Sequence, residues 1–178
     1  MNLIGNKVML REIKESDMNL FNKLINSSNV EQFVVGWSKP VTMGEQNAWF
    51  QGLINDNNIR YSIVNVNDSE LYGTLIISKI DWKNRTCGLD IKLSDESRGK
   101  GIGTESVTLA VDYIFEQLNL NRVEVKILDY NVASQRIFEK FGFVKEGILR
   151  NSIFKNGKYN DLFVYGLLKK DYLNERNR

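Results

Sequence analysis

The residues best placed to do chemistry are Arg98-Gly99-Lys100-Gly101-Ile102-Gly103-Thr104. Glycines at 99, 101 and 103 let the main chain approach a ligand closely and take dihedrals barred to other residues. A strand-like run, residues 88–93, precedes them. An amphipathic helical run follows, with Val107, Ala110, Val111, Ile114, Phe115 and Leu118 on one stripe. The N–H groups of a first helical turn have no acceptor inside the helix, so this strand, turn and helix read as an anion site, with phosphate the usual guest. Arg98 and Lys100 add positive charge. The spacing is not that of a P-loop. Thr104 stands where a dinucleotide fingerprint has its last glycine, and no acidic strand end follows at the usual distance. The plainer alternative is a glycine turn that merely precedes a helix.

Absences narrow the chemistry. The chain contains no histidine and one cysteine, Cys87. Histidine-dependent triads, histidine metal sites and an internal disulfide are therefore excluded, and no metal is expected. Carboxylates, tyrosines, lysines and backbone dipoles remain. The net charge is only +2 and no dense Lys/Arg run occurs, so nucleic acid is not an implied partner. No apolar run reaches membrane-spanning length. Lys7, Arg11 and Glu12 fall where a signal peptide would need its apolar core, so a cytoplasmic protein is expected.

The elements that must position the loop follow from periodicity. Residues 7–13 alternate as a strand, with Val8 and Leu10 inward. Ser16 suits the N-cap of a helix carrying Met18, Phe21, Leu24 and Ile25. Thr42-Met43-Gly44-Glu45 is a capping-box pattern opening a second helix. Residues 60–66, 71–80 and the run ending at Leu93 read as three sequential antiparallel strands. Residues 122–128 form a further strand, parallel to the last because a helix intervenes. A short helix spans 133–141 with Gly142 as its C′ cap. Residues 152–155 and 158–168 flank Asn156-Gly157, a two-residue hairpin signal. The polar tail after Tyr172 is expected to fray. No linker or repeat interrupts residues 1–178, which read as a single domain.

A second motif, Asn131-Val132-Ala133-Ser134 followed by Glu139-Lys140-Phe141-Gly142-Phe143, lies one helix and one strand after the first. Together with Arg98-x-x-Gly101-x-Gly103, it resembles the two signatures of the GNAT acyltransferase superfamily. The Leu10-Arg11-Glu12…Asp17 opening and the Asn156-Gly157…Asp161 ending look like the branch containing ribosomal-protein N-terminal acetyltransferases and spermidine acetyltransferases. The resemblance covers essentially the whole chain. It implies an α/β fold of the acyl-CoA N-acyltransferase type: a mixed, mainly antiparallel sheet of about seven strands, helices on both faces, and a splayed parallel pair at the centre.

The same resemblance implies a cofactor, acetyl-CoA, and a site. The pantetheine arm would bond main-chain groups near Ile91 and Leu93. The pyrophosphate would sit on the N–H groups of Arg98, Gly99, Lys100, Gly101, Ile102, Gly103 and Thr104. Asn131 and Ser134 would line the far side, with Phe138 against the arm and Lys140 near the phosphates. Glu31, Trp37 and Trp49 would roof the acceptor. The activity implied is N-acetylation of a primary amine, whether protein N-terminus, polyamine or amino sugar. A free alkylamine has a pKa of about 10, so a base is needed. Two positions depart from the family pattern. Phe138 replaces a tyrosine that would protonate the leaving thiolate, and Gly88 replaces a glutamate. Asp90 shares the face of Gly88 and is the candidate base, the bland alternative being an ion pair with Lys92. The departures also admit a catalytically impaired CoA-binding sensor. A plain nucleotide-binding module is a third reading, and the final hairpin offers an edge strand for a homodimer.

Overall fold

The computed structural model describes residues 1–36, 39–53 and 57–176. The chain opens with β1 (Leu3–Ile4), β2 (Val8–Arg11), α1 (Met18–Asn26), α2 (Ser28–Glu31) and α3 (Met43–Gly52). The central run is β3 (Ile59–Asn65), β4 (Leu71–Asp81), β5 (Thr86–Leu93), α4 (Ile102–Asp112) and β6 (Arg122–Leu128). It closes with α5 (Val132–Lys140), β7 (Val144–Lys155), β8 (Lys158–Leu168) and α6 (Lys169–Arg176). The strands make one eight-stranded sheet, ordered β1-β2-β3-β4-β5-β6-β8-β7. Among the described residues, only β5 and β6 run parallel.

The mixed, mainly antiparallel sheet is as expected, with Leu3–Ile4 added to β2 as its eighth strand. Two expectations are corrected. The penultimate strand starts at Val144, not Ser152: its exposed residues lack clear alternation, but ladder bonds to β8 hold them extended. The tail does not fray at Tyr172. It forms α6, anchored by the Tyr172 hydroxyl donating to Asp112 Oδ1 at 2.5 Å and by the Tyr172 ring 5.1 Å from Phe115.

Side-chain alternation sorts the two faces of the sheet. Leu75, Ile77 and Leu89 face one way and join Val107, Ala110, Val111, Ile114 and Phe115 of α4 in the main core. On the opposite face, Met18, Phe21 and Leu24 of α1 form a smaller cluster with Val30 and Trp49. The Asn156-Gly157 turn has φ of 51° and 78°, as a tight hairpin turn requires.

The start of α1 is fixed differently from expectation. A 3-10 turn, Glu15–Asp17, precedes it, and Asp17 rather than Ser16 is the organising residue. The buried Asp17 carboxylate accepts from both Arg11 terminal nitrogens at 2.7 and 2.8 Å, from Ser62 Oγ at 2.5 Å and from Lys14 N at 2.9 Å. One side chain thus fastens α1 to β2 and β3. α3 opens as predicted: Thr42 Oγ1 accepts from Glu45 N at 3.2 Å, and Glu45 Oε2 accepts from Thr42 N at 2.8 Å.

Candidate active site

The parallel pair is paired only at its start. Register holds for Thr86↔Arg122, Cys87↔Val123 and Gly88↔Glu124, then ceases, although β5 remains paired to β4 through Leu93 and β6 to β8 through Leu128. Beyond Gly88, the main-chain groups of β5 that face β6 have no strand partner, which is costly unless something occupies the gap. A cavity of about 280 Å³ lies there, bounded by Leu89 to Lys92, Val125 to Ile127, Asn131, Ser134 and Phe138. It adjoins a cleft of about 540 Å³ lined by Ile91, Leu93, Arg98, Gly99, Gly101, Gly103, Thr104, Asn131 and Ser134.

The glycine loop closes the outer end of this cleft. Gly99 and Gly101 have φ of 72° and 82°, and Gly101 is the N-cap of α4. The N–H groups of Ile102, Gly103 and Thr104 find no acceptor among the described residues; Glu105 is the first to bond back, to Gly101 O at 3.1 Å. At Gly103 a Cβ would come within 3.2 Å of Leu93 Cδ1 and 3.4 Å of Ile137 Cδ1, so a side chain there would narrow the cleft. Glu105 is turned away, accepting from the N–H groups of Asn6 and Lys7. Three unshared N–H groups at the positive end of a helix make an anion site.

Several predicted residues fall elsewhere. The Arg98 N–H is already used, donating to Asp95 O at 3.2 Å. The Arg98 guanidinium pairs with Asp95 at 3.1 Å, over the Phe33 ring. Ile102 contributes main chain only, its side chain being buried in the core. The Lys100 and Lys140 side chains are exposed and outside the cleft lining. Lys7, which sequence reasoning did not single out, brings its ammonium to 3.4 Å from Lys100 O beside the loop. Asn131 caps α5 by accepting from Ser134 N at 3.2 Å and still lines the cleft. Phe138 is buried edge-to-face on Phe143, centroids 5.1 Å apart, and borders the gap.

A third cavity, about 320 Å³, lies on the sheet face under α1 and α3. Phe21, Leu24, Ile25, Val41, Trp49 and Ile76 supply its apolar wall; Glu45, Arg60, Thr74 and Lys92 are polar. Trp49 lines it. Glu31 does not: it pairs with Lys155 of β7 in a separate cleft bounded by Phe154 and Pro40. Trp37 lies outside the described residues.

Asp90 stands at the junction of gap and sheet face, accepting from Ser78 Oγ at 3.1 Å. A Cβ at Gly88 would come within 2.8 Å of that hydroxyl, so the missing side chain leaves room for Ser78 to reach Asp90. No Asp90–Lys92 ion pair forms. Lys92 borders all three cavities. Burial lowers its ammonium below the usual lysine value; Asp90 opposes this and Arg60 adds to it. Asp81 is a turn residue, accepting from Asn84 N at 2.9 Å and Nδ2 at 2.7 Å. The Tyr130 hydroxyl is spent on Gln32 O at 2.5 Å.

A sheet split between parallel strands, with bare helix N–H groups at the mouth of the split, is the splayed pair and anion loop that the resemblance implies. The comparisons agree. Residues 7–144 match the acetyltransferase (GNAT) domain family, and the chain belongs to it. It is similar to the probable N-acetyltransferase YjcK of Bacillus subtilis, 32% identical over 95% of this chain and 98% of that protein. The spermidine N(1)-acetyltransferase of Vibrio cholerae is 27% identical over 96% of this chain and 98% of its own length. The crystal structure of spermidine N-acetyltransferase from Vibrio cholerae with CoA and spermine superposes at TM-score 0.86, covering 95% of this chain and 99% of that one at 24% identity, a likeness of fold.

Proposed function

We propose that this N-acetyltransferase moves the acetyl group of acetyl-CoA directly onto a primary amine held under α1 and α3. The observation that carries the reading is the unpaired stretch of β5 ending at three free N–H groups. Pantetheine would complete the ladder near Ile91 and Leu93, and the pyrophosphate would take the helix terminus. The thioester then lies in the gap, where Asp90 can receive the amine proton, directly or through water, and main-chain donors can face the oxyanion. Holding both reactants in place supplies much of the acceleration.

Direct transfer is favoured over an acyl-enzyme. Cys87 is buried, and burial pushes its thiol up to about 12, so it offers no thiolate near neutral pH. Phe138 has no proton for the departing thiolate, which favours, as a second reading, a CoA-binding sensor.

Thiol release from acetyl-CoA with a panel of peptides, polyamines and amino sugars tests the function. Turnover on any amine supports it; tight acetyl-CoA binding with none supports the sensor. Asp90→Asn is expected to lower kcat about 100-fold with acetyl-CoA affinity unchanged. An unchanged kcat removes Asp90 from the chemistry.

The reading includes a homodimer paired along β7, whose outer edge is unpaired in the sheet order and bears exposed Ile148, Leu149 and Phe154. Sedimentation should show a dimer for the native chain and a monomer for Ile148→Glu; a monomeric native chain contradicts it.

A further inference from the structure

The cavity under α1 and α3 has a charge that the proposed reaction does not use. Strand register puts Arg60 opposite Ile76, Ile76 opposite Asp90 and Thr74 opposite Lys92, so all five share one face of the sheet. Among the described residues, the charged side chains lining it are Arg60, Lys92 and Glu45. Glu45 is occupied by the Thr42 cap. Arg60 lies over the Trp49 ring, 5.5 Å from its centroid. Lys92 makes no hydrogen bond or ion pair with any described residue, although it is half-buried where the cavities meet. A partly desolvated ammonium without a counter-ion is unfavourable, and an arriving anion relieves it. An arriving cation makes it worse.

The geometry points to an acceptor that carries an anion as well as its amine: a small primary amine with a carboxylate a few bonds away and an apolar side chain, as in a free apolar α-amino acid. The inference rests on the acetyl-transfer reading above. The carboxylate pairs with the Lys92 ammonium. The apolar body packs among Phe21, Leu24, Trp49 and Ile76. The amine turns toward Asp90, two residues back along β5 and about 7 Å away at the main chain. A cavity of about 320 Å³ suits such a molecule, lying at the low end of small-ligand sites, which span roughly 300–1,000 Å³. A polyamine, cationic along its length, would meet the Lys92 ammonium, and among the described lining residues the one carboxylate, Glu45, is held by the Thr42 cap.

The test compares phenylalanine and leucine with their carboxamides and with spermidine, by kcat/KM for thiol release. The carboxylates should exceed the carboxamides by about 10- to 100-fold, the worth of one charge-assisted hydrogen bond, and spermidine should be poorest. Lys92→Met should bring the carboxylate-to-carboxamide ratio near one, and Lys92→Arg should restore the preference. Thermal unfolding of each variant confirms that it is folded. Equal use of acid and amide, or spermidine as the best acceptor, overturns the inference. So does a Lys92→Met variant that keeps the ratio, or one whose main loss is acetyl-CoA affinity. Calorimetry with acetyl-CoA separates the two levels: no heat sinks the acetyl-transfer reading itself, whereas normal heat without acid preference sinks only this inference.

Discussion

Gly101→Val is expected to weaken acetyl-CoA binding at least about 100-fold while the protein stays folded. Gly101 sits at φ 82° and ψ −2°, a left-handed conformation that a β-branched residue adopts only under strain. That strain is on the order of 1–3 kcal/mol, and the loop relieves it by rotating the peptides on either side. Those peptides carry the N–H groups on which the pyrophosphate would rest. Each hydrogen bond to a charged group is worth about 1.5–3 kcal/mol, so losing the aim of two accounts for the drop. Sterics are not the cause: the nearest atom to an added Cβ is Lys7 Nζ at 3.8 Å. Gly101→Ala should show a smaller loss. Calorimetric titration of both variants checks the order, and equal affinity of Gly101→Val and the native chain would remove the loop from the site.

The second large effect is on stability. Asp17→Ala is expected to cost about 3–5 kcal/mol, because it leaves the Arg11 guanidinium buried and unpaired. Ser62 Oγ and Lys14 N lose their acceptor at the same time. The same carboxylate sets a pH dependence. Burial raises its pKa, but the hydrogen bonds from Arg11, Lys14 N and Ser62, with the Arg11 charge, outweigh burial and hold it below the usual aspartate value. A depressed folded-state pKa lends stability that is complete above the unfolded value, about 3.9, and is lost as pH falls from there toward the folded value. Native protein should therefore lose stability steeply below about pH 4, and Asp17→Asn should lose less over the same range. Urea unfolding between neutral pH and that range measures both slopes; parallel curves would contradict the assignment. Because α1 carries Phe21 and Leu24 into the cavity proposed for the acceptor, Asp17→Ala should also impair acceptor use more than acetyl-CoA binding.

The residues proposed for the cofactor are more legible in the chain than those proposed for the acceptor, for a physical reason. The loop from Arg98 to Thr104 is local: glycine spacing, a preceding strand and a following helix all lie within one stretch of sequence, as do Asn131 and Ser134 at the next helix start. The cavity under α1 and α3 is assembled from α1, α3, β3, β4 and β5, and nothing near Lys92 in sequence signals that three cavities meet at its side chain. The placing of Glu31 in a separate cleft is hidden for the same reason, its partner Lys155 lying 124 positions away. Asp17 was hidden by the better local signal of Ser16 as a cap; its partner Ser62 is 45 residues on. α6 is mostly polar and has little helical signal of its own, yet Tyr172 docks it on α4 and the turn that follows. β7 lacks alternation because most of its side chains are exposed, leaving ladder bonds to β8 to define it.

The measurement that bears most directly on the whole account is titration of the purified native protein with acetyl-CoA, followed calorimetrically. The account predicts saturable heat at one cofactor per chain, diminished by Gly101→Val. Absence of heat from the native protein, or heat that Gly101→Val leaves unchanged, would contradict it.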